Sequence, residues 1–140
     1  MKAVVVEGKF DLVVLETLFP QSAQRKIMFR EAHGFSNVFA VTKALKDFGY
    51  DVLAVLDTDT DKPGNDNRKV IERIQTTGIV GRAINIVWMD ANIEDVLKRA
   101  NPNIHLQYGN GIILQQGIRK YKNAILALEE FRKIQEFIGE

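Results

Sequence analysis

The sequence predicts an α/β fold with a mostly parallel central sheet of about four strands, flanked by helices. Short β-branched segments alternate with segments whose apolar residues recur at helical spacing. Right-handed crossovers between parallel strands then place helices on both faces of the sheet. The chain has 140 residues, which suits one well-buried core and is too short for two full domains. We expect a single domain over 1–140, with a core over about 1–100 and a C-terminal helical extension over 101–140.

Strands and helices are expected in alternation over the first hundred residues. The predicted strands are Lys2–Glu7, Lys26–Arg30, Asp51–Leu56 and Ala83–Trp88. The predicted helices are Phe10–Phe19, Ser36–Phe48, Asn67–Thr76 and Ile93–Arg99. Residues 104–115 fit either a hairpin or a loop that opens a helix, and we favour the loop. An amphipathic pattern predicts one last helix over Asn123–Ile138, which packs on the sheet or pairs two chains as a homodimer.

The composition limits the classes of function. Nineteen basic residues offset eighteen acidic ones, so any site for a polyanion must be local. The absence of cysteine excludes disulfides and thiol catalysis, and accords with a reducing compartment. The first apolar run stops at Glu7, too early for a signal peptide, and no stretch approaches the roughly 20 residues that span a bilayer. We therefore expect a cytoplasmic protein with no membrane partner.

Acidic residues stand at the ends of two predicted strands. Glu7 closes the first strand and precedes Gly8, which permits a sharp turn, while Asp11 begins the following helix. Asp57 and Asp59 follow the third strand. Because the carboxyl ends of parallel strands meet at one edge of a sheet, we expect these acids to lie together. Their mutual repulsion favours a bound cation, and Mg²⁺ prefers oxygen ligands, commonly one or two carboxylates completed by water and phosphate.

Simpler interpretations of these acids stay open. Asp11 also suits an ordinary helix start, Glu7 a strand end paired with a lysine, and residues 57–61 a solvated turn. A calcium EF-hand loop is excluded, because it needs glycine and glutamate where this chain has Lys62 and Arg68. A haloacid-dehalogenase site would follow the first strand instead of the third. A response-regulator receiver is a weaker alternative, because its acidic pair and its lysine are not evident.

Two spaced motifs together resemble the signatures of the Toprim domain. The first is Val-Val-Val-Glu-Gly-Lys-Phe-Asp over residues 4–11, and the second is Leu-Asp-Thr-Asp over residues 56–59. Either motif alone is weak, whereas the ordered pair is specific. The resemblance covers roughly the first hundred residues, and it is greatest to the Toprim domain of OLD-type nucleases. It implies a Rossmann-like three-layer fold.

The resemblance also implies divalent-metal-dependent hydrolysis or nicking of nucleic-acid phosphodiesters, with DNA favoured over RNA. It assigns catalysis to three acids: Glu7, Asp57 and Asp59. It assigns the metal, Mg²⁺ or Mn²⁺, to these three acids together with Asp11 and Glu94. Asp95 is the alternative to Glu94, and an acidic helix start explains either residue equally well.

Basic residues near these motifs are candidates for binding the strand. Those expected to contact phosphates are Lys9, Lys62, Arg68 and Lys69, and Arg73 is a further candidate near the acidic loop. Each such contact would add a salt-sensitive increment of affinity, whereas the alternative is a solvated helix face.

Other functions and partners stay open at this stage. OLD-type nucleases usually carry an ATPase domain, and this chain has no Gly-rich P-loop. We therefore expect a separate ATPase or another protein partner. The main alternative function is a non-catalytic nucleic-acid or nucleotide-binding module in a repair, replication or defence assembly. A phosphohydrolase acting on small phosphate esters is a third hypothesis.

Overall fold

The computed structural model of the protein describes residues 1–20, 26–76 and 84–139. Its strands are β1 (Lys2–Val6), β2 (Ile27–Glu31), β3 (Asp51–Asp57) and β4 (Asn85–Met89). The helices of the sheet region are α1 (Lys9–Leu18), α2 (Val38–Asp47, after a 3₁₀ turn over Phe35–Asn37), α3 (Asn67–Thr76) and α4 (Ile93–Ala100). The C-terminal helices are α5 (Ile112–Lys120), α6 (Lys122–Leu126) and α7 (Glu129–Ile138).

All four strands pair in parallel, in the order β2-β1-β3-β4. Valine-rich β1 therefore lies in the interior of the sheet, with Val4 opposite Leu53 of β3. Strands that are buried on both faces of a sheet are continuous apolar runs. This property allowed them to be predicted from the sequence. The predicted α/β fold with a parallel sheet is confirmed. Ala83, the predicted start of the fourth strand, lies outside the described residues.

Side chains of each strand alternate between two helical layers. Val4 and Val6 of β1 join the apolar cluster formed with α1 and the helices from α4 to α7. Ala3 and Val5 join the cluster on the opposite face, formed with α2 and α3. The molecule therefore has three layers, as predicted, and burial of both faces supplies most of the apolar stabilisation.

The predicted helix Asn123–Ile138 is wrong as a single helix. Leu128 has an extended backbone, with φ −70° and ψ 143°, and separates α6 from α7. The break turns the buried face, so Ile125 is buried while Ala124 and Ala127, which a single amphipathic helix over this range would place on its apolar face, are exposed. Spacing within one continuous helix could not show this change of direction.

The last helix is tied to the first strand. Lys2 Nζ donates a hydrogen bond of 2.6 Å to the carbonyl of Phe137 and lies 5.4 Å from the centre of its ring. A cation at this end of α7 complements the helix dipole. The helix therefore packs on the sheet of its own chain beside β4, one of the two predicted outcomes. The segment before α5 is a loop that opens a helix, the alternative we favoured.

None of the helices in the described ranges has both the length and the apolar character needed to cross a membrane.

Candidate functional site

Glu7 and Asp57 meet at the carboxyl edge of the sheet. Glu7 directly follows β1, Asp57 is the last residue of the neighbouring strand β3, and Glu7 Oε2 accepts a hydrogen bond of 2.8 Å from the backbone N–H of Asp57. The Glu7 carbonyl accepts another of 2.8 Å from Gly34 N–H, in the segment after β2. Adjacent parallel strands thus bring together two residues 50 positions apart in the chain.

Two helix starts hold the carboxylates of Asp57 and Asp11. Asp57 Oδ1 accepts a 3.0 Å hydrogen bond from the N–H of Ile93, the first residue of α4. Asp11 Oδ2 accepts a 3.1 Å bond from Gly8 N–H, just before α1. N–H groups at helix starts lack intrahelical partners and favour negative charge. No hydrogen-bond donor among the described residues contacts the second oxygen of either carboxylate, so these residues leave that oxygen able to accept from a ligand.

These carboxyl groups bind protons more tightly than free ones. Burial, reinforced by the charges of Asp11 and Glu7, raises the pKa of Asp57 to about 8. Burial, reinforced by Glu7 and Glu94, raises the pKa of Asp11 to about 7. Burial also raises the pKa of Glu7, against the lowering effect of its bond from Asp57 N–H. At neutral pH the site therefore favours either bound protons or a cation.

Asp59 and Glu94 complete this group of charges. Besides burial, the charge of Asp59 raises the pKa of Glu7 and of Asp57. The charge of Glu94, in the first turn of α4, also raises the pKa of Glu7, Asp11 and Asp57. We name the five acids the carboxylate cluster: Glu7, Asp11, Asp57, Asp59 and Glu94.

The structure distinguishes Glu94 from its neighbour Asp95. Asp95 is exposed and is not among the main charges that raise the pKa values of the carboxylate cluster. Its backbone N–H instead donates 2.8 Å to Asn92 Oδ1, the N-cap of α4. Of the two alternatives from the sequence, Glu94 is therefore the one placed beside the other acids.

Thr58, between the two aspartates, joins the β3 and β4 ends and was missed by the sequence analysis. It is 2% exposed, and its Oγ1 accepts a 2.8 Å hydrogen bond from Ala91 N–H and lies 3.0 Å from Thr60 Oγ1. Its N–H donates 3.0 Å to the carbonyl of Met89. Thr58 therefore fixes the loop that carries Asp57 and Asp59.

Asn67, the first residue of α3, is the second missed residue. It is 6% exposed, and its Nδ2 donates to the carbonyl of Asp57 at 2.9 Å and to Asp59 Oδ2 at 3.0 Å. Asp59 has φ 54°, an uncommon left-handed backbone that aspartate tolerates better than most residues. Asn67 therefore orients the Asp59 carboxylate. A polar residue at a helix start gives no signal of this role in the sequence.

Replacing Thr58 with valine is expected to lower the free energy of unfolding by about 1–3 kcal/mol, because valine keeps the shape but leaves Ala91 N–H without its acceptor. Thr58→Ser, which keeps the hydroxyl, should retain most of that stability. Urea unfolding of the two variants and the wild type tests this. A loss of stability in Thr58→Ser but not in Thr58→Val would show that the methyl group, and not the hydrogen bond, matters.

The predicted phosphate-binding residues differ in their surroundings. Lys62 Nζ lies 3.8 Å from Asp59 Oδ2, beside the cluster. Lys9 is exposed at the start of α1. Arg68 is held by Asp66 through two hydrogen bonds, Nε to Oδ1 at 3.0 Å and Nη2 to Oδ2 at 2.9 Å. Lys69 lines a neighbouring pocket. Of these four residues, Lys62 is thus the one that has an ion pair with an acid of the carboxylate cluster among the described residues.

The donors of the cluster suit a hard divalent cation, because they are all carboxylate oxygens and some are not hydrogen-bonded. In the ranges that the structure describes, no three or more His, Cys, Asp or Glu side chains are close enough to enclose a metal ion. Mg²⁺ commonly uses only one or two carboxylates and takes its other ligands from water and substrate. The donor set therefore fits a metal that shares its coordination with substrate oxygens.

The resemblance to Toprim domains stays a prediction from the two motifs. No protein-family model matches the chain, and no curated protein matches it.

Proposed function

We propose that this chain is a Mg²⁺- or Mn²⁺-dependent enzyme that hydrolyses or nicks nucleic-acid phosphodiesters at a Toprim-type carboxylate cluster. The observation that carries the proposal is the convergence of five acids at one edge of the sheet, where burial and repulsion raise the pKa of Asp57 to about 8. Ionising such a group without a counter-charge is unfavourable, and a divalent cation removes this penalty. The order of the two motifs favours nucleic acid, and DNA in particular, as the substrate.

The residues have separable roles in this proposal. Asp57 and Asp59 would hold the ion, together with Asp11 and Glu94. When bound, the ion would supply positive charge to the phosphoryl oxygens and acidify the attacking water. Glu7 has one oxygen outside its bond to Asp57 N–H, and its raised pKa suits it to accept the proton of that water. Water attacks phosphorus, the bond to the leaving oxygen breaks, and that oxygen takes up a proton.

Asp59→Asn is expected to lose metal-dependent nicking by at least about 100-fold, because it removes a negative charge from the cluster while its amide oxygen can still accept the hydrogen bond from Asn67. Calorimetry with Mn²⁺ and Mg²⁺ should show weaker binding, and a supercoiled plasmid and a single-stranded oligonucleotide report cleavage. Asp61→Asn is the matched control, since Asp61 is exposed in the same loop and contacts Asn92 at 3.3 Å. Full activity in Asp59→Asn would overturn the proposal, as would a wild type that binds neither ion at millimolar concentration with oligonucleotide present.

The second candidate is a module that binds nucleic acid or a nucleotide without cutting it. It is favoured by the finding that, within the described residues, no three acids are close enough to enclose a metal. Such a module would bind an oligonucleotide equally well in EDTA and in Mn²⁺ and would release no product. Cleavage in Mn²⁺ that stops in EDTA would exclude it.

We also propose that the enzyme works in the cytoplasm. Because the chain has no P-loop of its own, we further propose that it works with a partner. That partner would be a separate ATPase or another protein. A homodimer is the other arrangement, although the C-terminal helix that could have formed it packs against β4.

A further inference from the structure

A pocket of about 390 Å³ lies beside the loop after β3 that carries Asp59 of the carboxylate cluster. One wall is formed by Thr60 and by residues 64–66 of the loop, and the other by Lys69, Val70 and Arg73 of α3. Thr60 is also hydrogen-bonded to Thr58, the residue between the two aspartates. The pocket and the cluster are thus separated by only a few residues of one loop.

Two cations give the pocket its charge. Lys69 and Arg73 are four residues apart on α3, so they project from the same face of the helix. Both are exposed, and neither has an ion pair with any residue that the structure describes. Their positive charge is therefore available to a ligand.

The one acid among the described residues of the lining is already neutralised. Asp66 accepts hydrogen bonds from the Arg68 side chain at both oxygens, which lowers the pKa of Asp66, and the charge of Lys69 adds a smaller contribution in the same direction. Arg68 also lies in the field of Asp90 and Glu72. Arg68 thus offsets acids, while Lys69 and Arg73 keep a net positive pocket.

We infer that this pocket binds a phosphate group of the nucleic-acid strand and so positions the strand on the carboxylate cluster. The inference rests on the proposed function for its choice of ligand, but not for its test. Both a terminal phosphate and an internal phosphodiester have the chemistry that two adjacent cations bind. Lys69 and Arg73 would act by holding the strand and would take no part in bond breaking.

The test is fluorescence anisotropy of a labelled single-stranded oligonucleotide in EDTA, where no metal-dependent cleavage occurs. The variant is Lys69→Gln with Arg73→Gln. Lys43→Gln with Lys46→Gln is the control, because it removes the same charge from α2, whose end precedes β3 at the opposite edge of the sheet. The pocket variant should bind about 10-fold more weakly, with a salt slope shallower by about 0.7, as one lost phosphate contact to a single strand requires. The control should bind like the wild type.

Equal affinity and equal salt slope in the wild type and the pocket variant would overturn the inference, as would a wild type that does not bind. Calorimetry with Mn²⁺ tests the proposed function separately, since the pocket variant keeps the whole carboxylate cluster. If the protein binds metal and the pocket variant binds the oligonucleotide as well as the wild type does, the proposed function is supported and the inference about the pocket is rejected. If oligonucleotide binding depends on Lys69 and Arg73 but the protein binds no metal, the inference about the pocket is supported and the proposed metal-dependent function is rejected.

The source of the phosphate follows from oligonucleotides with and without a 5′-phosphate. A gain of about 10-fold from the 5′-phosphate that disappears in the pocket variant assigns the pocket to strand ends. Equal binding of both, still weakened in the variant, assigns it to an internal phosphodiester.

Discussion

The Asp57→Asn variant is expected to be more stable than the wild type in EDTA at about pH 9, and less stable than the wild type in saturating Mn²⁺. Asparagine has nearly the same shape and can still accept the hydrogen bond from Ile93 N–H. It carries no charge, so it removes the repulsion that Asp57 experiences from Asp11 and Glu7. One substitution should thus change stability in opposite directions with and without metal.

The raised pKa of Asp57 determines whether the variant is more or less stable than the wild type in EDTA. Burial and neighbouring acids raise the pKa of Asp57 from 3.8 to about 8. The folded protein therefore keeps a proton that the unfolded chain has released, and this contribution to stability is lost as pH rises from about 4 to about 8. The asparagine of the variant would not titrate. The variant should match the wild type at or below about pH 4 and exceed it at about pH 9 by at least about 1 kcal/mol, or roughly 3 °C in Tm.

In Mn²⁺ the order should reverse. A ligand at 100 times its Kd stabilises the folded protein by about 2.7 kcal/mol, and the variant should lose most of this gain. Thermal unfolding over a pH series, with EDTA and with Mn²⁺, measures both effects. Asp61→Asn, which lies outside the cluster, should follow the wild type throughout. A variant that is no more stable than the wild type at high pH would show that the Asp57 carboxylate is not under repulsion.

Much of the fold could be predicted because its signals are local. The apolar run that forms β3 and the amphipathic pattern that forms α3 each appear within about ten residues, and both elements lie close to their predicted bounds. The C-terminal region was less predictable, because the apolar spacing continues through Leu128 although the backbone there is extended. When a helix breaks because of its packing against the rest of the molecule, the spacing of apolar residues does not predict the break.

Some features of the site could likewise be predicted from the sequence, and others required the structure. That Glu7 and Asp57 would lie together follows from a topological rule, because parallel strands end at a common edge. The choice of Glu94 over Asp95 depends on which residue of a helical turn points inward, and that requires the orientation of α4. The roles of Thr58 and Asn67 depend on single hydrogen bonds between loops, for which the sequence has no periodic or compositional signal.

The second large effect is expected at Gly117, in the middle of α5. Gly117→Ala should lower the free energy of unfolding by about 2 kcal/mol, or roughly 5 °C in Tm, although alanine is the better helix former by about 1 kcal/mol. A Cβ at this position would lie 2.5 Å from the carbonyl oxygen of His105, so either α5 or the preceding loop must shift. Because the obstacle is backbone, a change of rotamer cannot relieve it.

The matched control is Gln116→Ala, since Gln116 is exposed on the same helix and alanine there meets no such contact. It should be neutral or slightly stabilising in urea unfolding, whereas Gly117→Ala is destabilising. The effect also bears on function, because α5 packs against α1, the helix that carries Asp11. If Gly117→Ala matched or exceeded the stability of the wild type, the loop before α5 would not press on the helix as described. If it is destabilised yet still binds Mn²⁺ below its unfolding temperature, α5 supports the fold without setting the geometry of the carboxylate cluster.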